Sequence, residues 1–113
     1  MTIRVRFTSL DHSDAVLEHV RRRATSAFGR LGARVGPLVV SLGDVNGPRG
    51  GRDKRCTVRV RLPGRGSIVV RETAHDLYAA VDRGLRRAAF AVTRWADRGP
   101  RGGRWTPAPL RSA

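Results

Sequence analysis

The sequence predicts an α+β fold of one domain, with the element order β-α-β-β-β-α and a four-stranded sheet that carries two helices on one face. Three observations predict it: four segments have the pattern of short strands, two have apolar residues at helical spacing, and turn residues separate them. The first helix joins two strands in a right-handed crossover, so strands one and two should be parallel. The hairpin-length loops that follow should make the other pairs antiparallel.

The N-terminal half should contain two strands and one helix. Residues 3–7 alternate between apolar and polar, as in a half-buried strand. Ser13 is the expected N-cap of a helix that extends to about Leu31 and stops at Gly32. The apolar stripe of this helix is Val16, Leu17, Val20, Ala24, Ala27, Phe28 and Leu31. The second strand is expected at roughly residues 38–45.

The next two strands surround a turn. A glycine-rich loop at residues 46–51 precedes the third strand. That strand should point Cys56, Val58, Val60 and Leu62 inward and the alternating Arg55, Thr57, Arg59 and Arg61 outward. Pro63 and Gly64 predict a turn, and residues 67–72 predict the fourth strand.

The second helix is expected at residues 74 to about 96. Thr73 and Asp76 have capping-box spacing, with a hydroxyl at the N-cap and a carboxylate in the first turn. The apolar stripe is Leu77, Val81, Leu85, Ala88, Val92 and Trp95.

The start of this helix also carries a family resemblance. Residues 76–82, Asp-Leu-Tyr-Ala-Ala-Val-Asp, resemble the second helix of the ribosome hibernation promoting factor and ribosome-associated inhibitor family, in its short form. The family has the same element order, which is similar to the double-stranded RNA-binding fold. The resemblance implies a domain at residues 1–98 that binds the small ribosomal subunit and its rRNA. It also implies reversible inhibition of translation by occupancy of the messenger and transfer RNA path.

The charge favours a polyanionic partner. The chain of 113 residues has 23 basic and nine acidic residues and a formal net charge of +14; Lys54 is the one lysine. Nucleic acid is preferred over an anionic membrane because no basic amphipathic helix rich in Trp, Phe and Leu is found. The absence of about 20 consecutive apolar residues and of a signal region, with Cys56 as the single cysteine, predicts a cytoplasmic protein.

Two basic surfaces follow from the predicted fold. The outward residues of the sheet are Arg4, Arg6, Arg55, Arg59, Arg61 and Arg71, and no outward acid on strands one or three balances them. One flank of the first helix has His19, Arg23, Ser26 and Arg30. A flank of the second has Arg83, Arg87, Arg94 and, if the helix extends that far, Arg98, with Arg86 nearby. The resemblance implies rRNA contact at positions that match Arg23 and Arg87. Either surface could instead be an ordinary solvated face.

Phe90 departs from the family, which usually has a basic residue at this position. Arg83, Arg86 and Arg94 surround it. The ring could stack on an unpaired base or dock a partner. The alternatives are that it packs on the C-terminal tail or is simply exposed.

The pattern predicts neither an enzyme nor a cofactor or small-molecule substrate. The three histidines lack zinc-ligand spacing, and the glycine-rich loop lacks the ending of a P-loop. Residues 99–113 have no period and are predicted to be a disordered basic tail, in which Trp105 is a candidate for stacking on single-stranded RNA. Two other functions stay open: a divergent module on a non-ribosomal RNA, and an assembly factor whose basic surface meets an acidic protein.

Overall fold

A computed structural model describes residues 2–45 and 54–98 of the chain. Its elements in chain order are β1 (Ile3–Phe7), α1 (Asp14–Phe28), a 3₁₀ helix (Gly29–Arg34), β2 (Leu38–Asp44), β3 (Lys54–Leu62), β4 (Gly66–Ala74) and α2 (Leu77–Arg98). The predicted β-α-β-β-β-α order is therefore confirmed, with one 3₁₀ segment added after α1.

The four strands form one sheet in the order β1-β2-β3-β4. β1 pairs with β2 in parallel, and β3 is antiparallel to both β2 and β4, as predicted. α1 packs against β1 and α2, and α2 packs against β3 and β4. Both helices therefore cover the same face of the sheet, and the opposite face is open.

The core lies between the sheet and the two helices. Most apolar positions predicted from period and alternation are buried: Val20, Phe28, Leu42, Val58 and Leu85 are each at most 1% exposed. The predicted stripe residues Leu17, Leu31, Leu77 and Trp95 are half-buried. Burial of each side chain of this size stabilises the fold by roughly 1.5–3 kcal/mol.

The N-terminus of α1 agrees with the prediction, and its C-terminus does not. The Ser13 hydroxyl accepts a hydrogen bond from the Val16 amide at 3.2 Å and caps the helix. α1 ends at Phe28 rather than near Leu31, and the chain continues as the 3₁₀ helix. Gly32 lies inside that segment at φ 50°, in the left-handed region that favours glycine.

The predicted start of α2 is wrong. Thr73 and Ala74 belong to β4, where they pair with Arg55 and Lys54 of β3, so Thr73 cannot cap a helix. Asp76 is the cap instead, since its carboxylate accepts the Ala79 amide at 3.1 Å. The strand pairing extends two residues beyond the predicted end of β4 and displaces the helix start to Leu77.

α2 lies close to β3 because residue 84 is a glycine. A Cβ at Gly84 would lie 3.0 Å from the Cys56 sulfur and 3.3 Å from a Val58 methyl. Cys56 is fully buried, as predicted, and burial raises the pKa of its thiol to about 12, with a smaller contribution from the Glu72 carboxylate. The thiol is a core group in its neutral form.

Candidate nucleic-acid interface

The open face of the sheet carries six arginines, and we call it the sheet face. It consists of Arg4, Arg6, Arg55, Arg59, Arg61 and Arg71, which occupy outward positions on β1, β3 and β4. β2 carries no outward charge, so it separates the arginines of β1 from those of β3. Each arginine on β3 and β4 is directly opposite an uncharged residue. This arrangement holds many like charges on one face without placing two directly opposite each other.

No acidic side chain occupies an outward position on the described strands. Asp44 and Glu72 fall on the other side of the pleat, in phase with the buried residues of β2 and β4. Asp44 forms an ion pair with Lys54 at 3.8 Å, and Glu72 forms one with Arg87. The positive charge of the sheet face is therefore uncompensated within the described residues.

On the helical side, Arg23 lies in the seam between α1 and α2. Its Nε is 3.2 Å from a carboxylate oxygen of Asp82, and the His19 Nε2 is 2.7 Å from the same oxygen. The His19 ring also meets the Tyr78 ring edge-on, with centroids 4.8 Å apart. Asp82 thus links the two helices.

Arg87 lies on the other side of α2, next to β4. Its guanidinium contacts the Glu72 carboxylate and is 3.5 Å from the Arg71 carbonyl oxygen. The sequence grouped Arg23 and Arg87 on one helical surface, whereas the structure separates them by the width of α2 and pairs each with a carboxylate. Both remain more than half exposed, at 53% and 61%, so donors of each guanidinium can still reach a phosphate.

The outer surface of α2 carries the exposed aromatic ring. Phe90 is 62% exposed, and the Arg94 guanidinium carbon is 5.6 Å from its ring centroid, within cation–π range. Arg83 and Arg86 are exposed on the same surface and form no ion pair with any described residue. We define the helix face as Arg23, Arg30, Arg83, Arg86, Arg87, Phe90 and Arg94. Trp105, the remaining predicted RNA-binding residue, lies outside the described residues.

Charge is also uneven along the strands, which the sequence did not reveal. Asp11, Asp14, Asp44 and Asp76 gather at the end of the sheet where β2 finishes and α2 begins. The opposite end carries Arg34 and Arg65 as well as Arg61 of the sheet face. The Arg65 guanidinium carbon lies 4.8 Å from the Trp95 ring centroid. Arg65 lies in the β3–β4 turn, and its contact with Trp95 could not be predicted from the sequence because it depends on the position of α2.

The same residues offer little for other chemistry. Within residues 2–45 and 54–98, no three His, Cys, Asp or Glu side chains are grouped so that they could hold a metal ion. In those two ranges no helix has the length and apolar character that a membrane crossing requires.

Comparison with known proteins identifies relatives. Residues 3–99 match the family model described as sigma 54 modulation protein / S30EA ribosomal protein. The fold is similar to the crystal structure of the N-terminal domain of Protein Y from Thermus thermophilus, with a TM-score of 0.69 and 28% identity over 84% of this chain and 99% of that chain. A ribosomal subunit interface protein from Coxiella burnetii has the same fold, with a TM-score of 0.68 and 17% identity over 86% and 99% of the two chains. A search of curated proteins gives no match.

Proposed function

The chain belongs to the sigma 54 modulation protein / S30EA ribosomal protein family, and we propose on that premise that it binds the ribosome and inhibits translation. Its ligand is the rRNA of the small subunit. While bound, the domain occupies the path of messenger and transfer RNA and holds an idle ribosome reversibly. The observation that carries this proposal is the excess positive charge of a family domain, which includes the exposed Arg83, Arg86 and Arg94 around Phe90 on α2.

The mechanism is occupancy and needs no chemical step. Guanidinium groups bind phosphate oxygens through two parallel N–H donors, and each contact releases counterions from the RNA. The affinity is therefore set by the number of arginines that face phosphates and falls as salt rises. A compact domain with a rigid core can hold its arginines at fixed spacing, which favours a folded RNA surface over a mobile one.

We assign the main contact to the helix face. Arg83, Arg86 and Arg94 are exposed there around an exposed aromatic ring, so that one surface combines phosphate and base recognition. The family resemblance favours the same side through Arg23 and Arg87. The sheet face then adds long-range attraction, or contacts a second RNA segment.

Residues 99–113 form the second part of the proposal. Three arginines, Trp105 and three prolines are a composition suited to a loose grip on single-stranded RNA. Truncation after Arg98 should leave the melting temperature nearly unchanged and weaken both ribosome affinity and inhibition. A clear fall in melting temperature would instead show that this segment packs on the domain.

Sedimentation with purified small subunits tests the function. The full chain should travel with the subunits through a sucrose gradient at 0.1 M salt and be released at high salt, and it should inhibit a reconstituted translation reaction at the same occupancy. Digestion of the bound particle with RNase should release it. Attachment that survives digestion would favour an acidic protein partner, and equal competition by unrelated RNA would favour a module without ribosomal preference. Failure to sediment with small subunits at low salt would overturn the proposal.

A further inference from the structure

A hollow of about 230 Å³ opens on the sheet face at the end of β2. It exists because Gly43 lacks a side chain and the segment after β1 curls over it. A Cβ at Gly43 would lie 2.8 Å from the Thr8 hydroxyl oxygen. Ser9 adopts φ 56°, which is unusual for a residue other than glycine, and its hydroxyl accepts a hydrogen bond from the Asp44 amide at 3.1 Å. The close approach at Gly43 and the hydrogen bond between Asp44 and Ser9 therefore fix the wall of the hollow in place.

Three hydrogen-bond donors face this hollow. Ser41 and Thr57 are directly opposite each other in the β2–β3 register, with no hydrogen bond to a described residue from either hydroxyl. The Cβ atoms of such a pair lie about 5 Å apart, so both hydroxyls can reach one ligand group. The Arg55 guanidinium lines the same hollow, and its Nε is buried without a hydrogen-bond partner among the described residues. An atom with almost no accessible surface cannot meet a ligand in the hollow, so the terminal nitrogens of the Arg55 guanidinium are the donors that such a ligand would contact.

The charge around the hollow selects an anion. Arg6 is in register with Ser41, and Arg71 is in register with Thr57, so a guanidinium flanks the hydroxyl pair on each side. Among the described residues that line the hollow, Asp44 is the one acid, and its carboxylate pairs with Lys54 on the other side of the pleat. A volume of 230 Å³ lies below the usual range of small-molecule sites, about 300–1,000 Å³, and suits one phosphate or sugar-phosphate unit.

We propose that this hollow is a phosphate-binding site, in which the Arg55 guanidinium and the hydroxyls of Ser41 and Thr57 donate to the phosphate oxygens. The phosphate group can come from an RNA backbone or from a small phosphorylated molecule, and the donors are the same for both. The site does not depend on ribosome binding, because it is built from one end of the sheet alone.

The first arm of the test uses inorganic phosphate and the full chain labelled with ¹⁵N. The Arg55 Nε–H resonance and the amides around Ser41 and Thr57 should shift and saturate with phosphate, and not with sodium chloride at equal ionic strength. Thr57→Val keeps the shape, suits a strand, and removes one donor, so it should weaken phosphate binding at least threefold. Ser67→Ala is the control, since it removes a hydroxyl from the same face outside the hollow.

The second arm uses a fluorescent 12-nucleotide RNA. Thr57→Val changes no charge, so a purely electrostatic attraction predicts no effect on RNA affinity. Loss of about three- to tenfold with an unchanged salt slope would assign an RNA phosphate to the site. Saturable binding of inorganic phosphate with unchanged RNA affinity would assign a small phosphorylated ligand. If folded wild-type protein shows neither the saturable shifts nor an RNA effect of Thr57→Val, the site does not exist.

Discussion

The helix face and the sheet face can be separated by two variants that remove equal charge. Arg83→Gln with Arg86→Gln removes two exposed guanidinium groups from α2, and Arg4→Gln with Arg59→Gln removes two from the sheet. None of the four arginines has an ion pair with a described residue, so no carboxylate is left uncovered by the change. Substitution of these four arginines therefore tests phosphate contacts alone. Substitution of Arg23 or Arg87 would also leave Asp82 or Glu72 without its arginine partner, and that carboxylate would repel RNA.

The magnitude follows from counterion release. Each phosphate contact contributes a slope of about 0.7–0.9 to the dependence of log K on log salt, which is a factor of about four to six in affinity at 0.15 M relative to 1 M. Loss of both helix-face contacts should therefore weaken small-subunit binding by about 15- to 30-fold at 0.15 M salt and lower the slope by roughly 1.4–1.8. The sheet variant should lose less than about threefold, because the helix layer is roughly 10 Å thick and charges beyond a Debye length of about 8 Å are largely screened.

Binding is measured by pelleting small subunits with labelled protein at five salt concentrations, and thermal melts check that both variants are folded. In a plot of log K against log salt, we expect the lines of the wild type and of each variant to converge near 1 M salt, where the electrostatic contribution to the affinity vanishes. If the sheet variant shows the larger loss of affinity and of slope, the helix face is the wrong contact surface. Equal losses would mean that RNA touches both faces.

Three further predictions concern single residues. Phe90→Leu should leave the melting temperature unchanged, because the ring is 62% exposed, and should weaken binding to single-stranded RNA by about five- to 100-fold if a base stacks there; unchanged affinity would show a ring that is merely exposed. Gly84→Ala should lower the melting temperature despite the better helix propensity of alanine, since overpacking against Cys56 costs about 1–3 kcal/mol; a rise would show that α2 can move outward. The Cys56 thiol, with its pKa raised from 9.0 to about 12, should resist iodoacetamide in the folded protein at pH 8. Its contribution to stability is complete below pH 9 and falls as pH rises towards 12, and urea unfolding of wild type and Cys56→Ala at pH 8 and pH 10.5 measures it.

The order of elements and the buried faces could be predicted because they depend on periodicity alone. Alternation along β3 and the helical stripe of α2 report burial directly, and both agree with the structure. The start of α2 could not be predicted in the same way. Thr73 suits a helix cap and a strand equally, and its pairing with Arg55, 18 residues earlier, decides between them.

Periodicity predicts which of the candidate arginines are exposed, but it does not predict how they are arranged. Helical spacing gives the angle of Arg23 and Arg87 on their own helices, but it does not say which neighbour lies at that angle. Asp82 of the facing helix and Glu72 of β4 are those neighbours, and their ion pairs hold Arg23 and Arg87 at opposite edges of the helix face. The hollow beside Arg55 could not be predicted from the sequence either, because it forms where Gly43 of β2 meets the segment after β1.

The charge distribution restricts how this domain can lie against RNA. The sheet face and the helix face look in opposite directions, so a flat RNA surface can neutralise only one of them. Since the helix face is the proposed contact, the sheet face is directed away from the RNA, at a distance where its charge is largely screened. Four aspartates crowd one end of the sheet, whereas the other end presents Arg34, Arg61 and Arg65. The aspartates partly offset Arg6, Arg55 and Arg71 around the hollow, so the end with the β3–β4 turn attracts RNA phosphate more strongly and should lie nearer to the RNA than the start of α2.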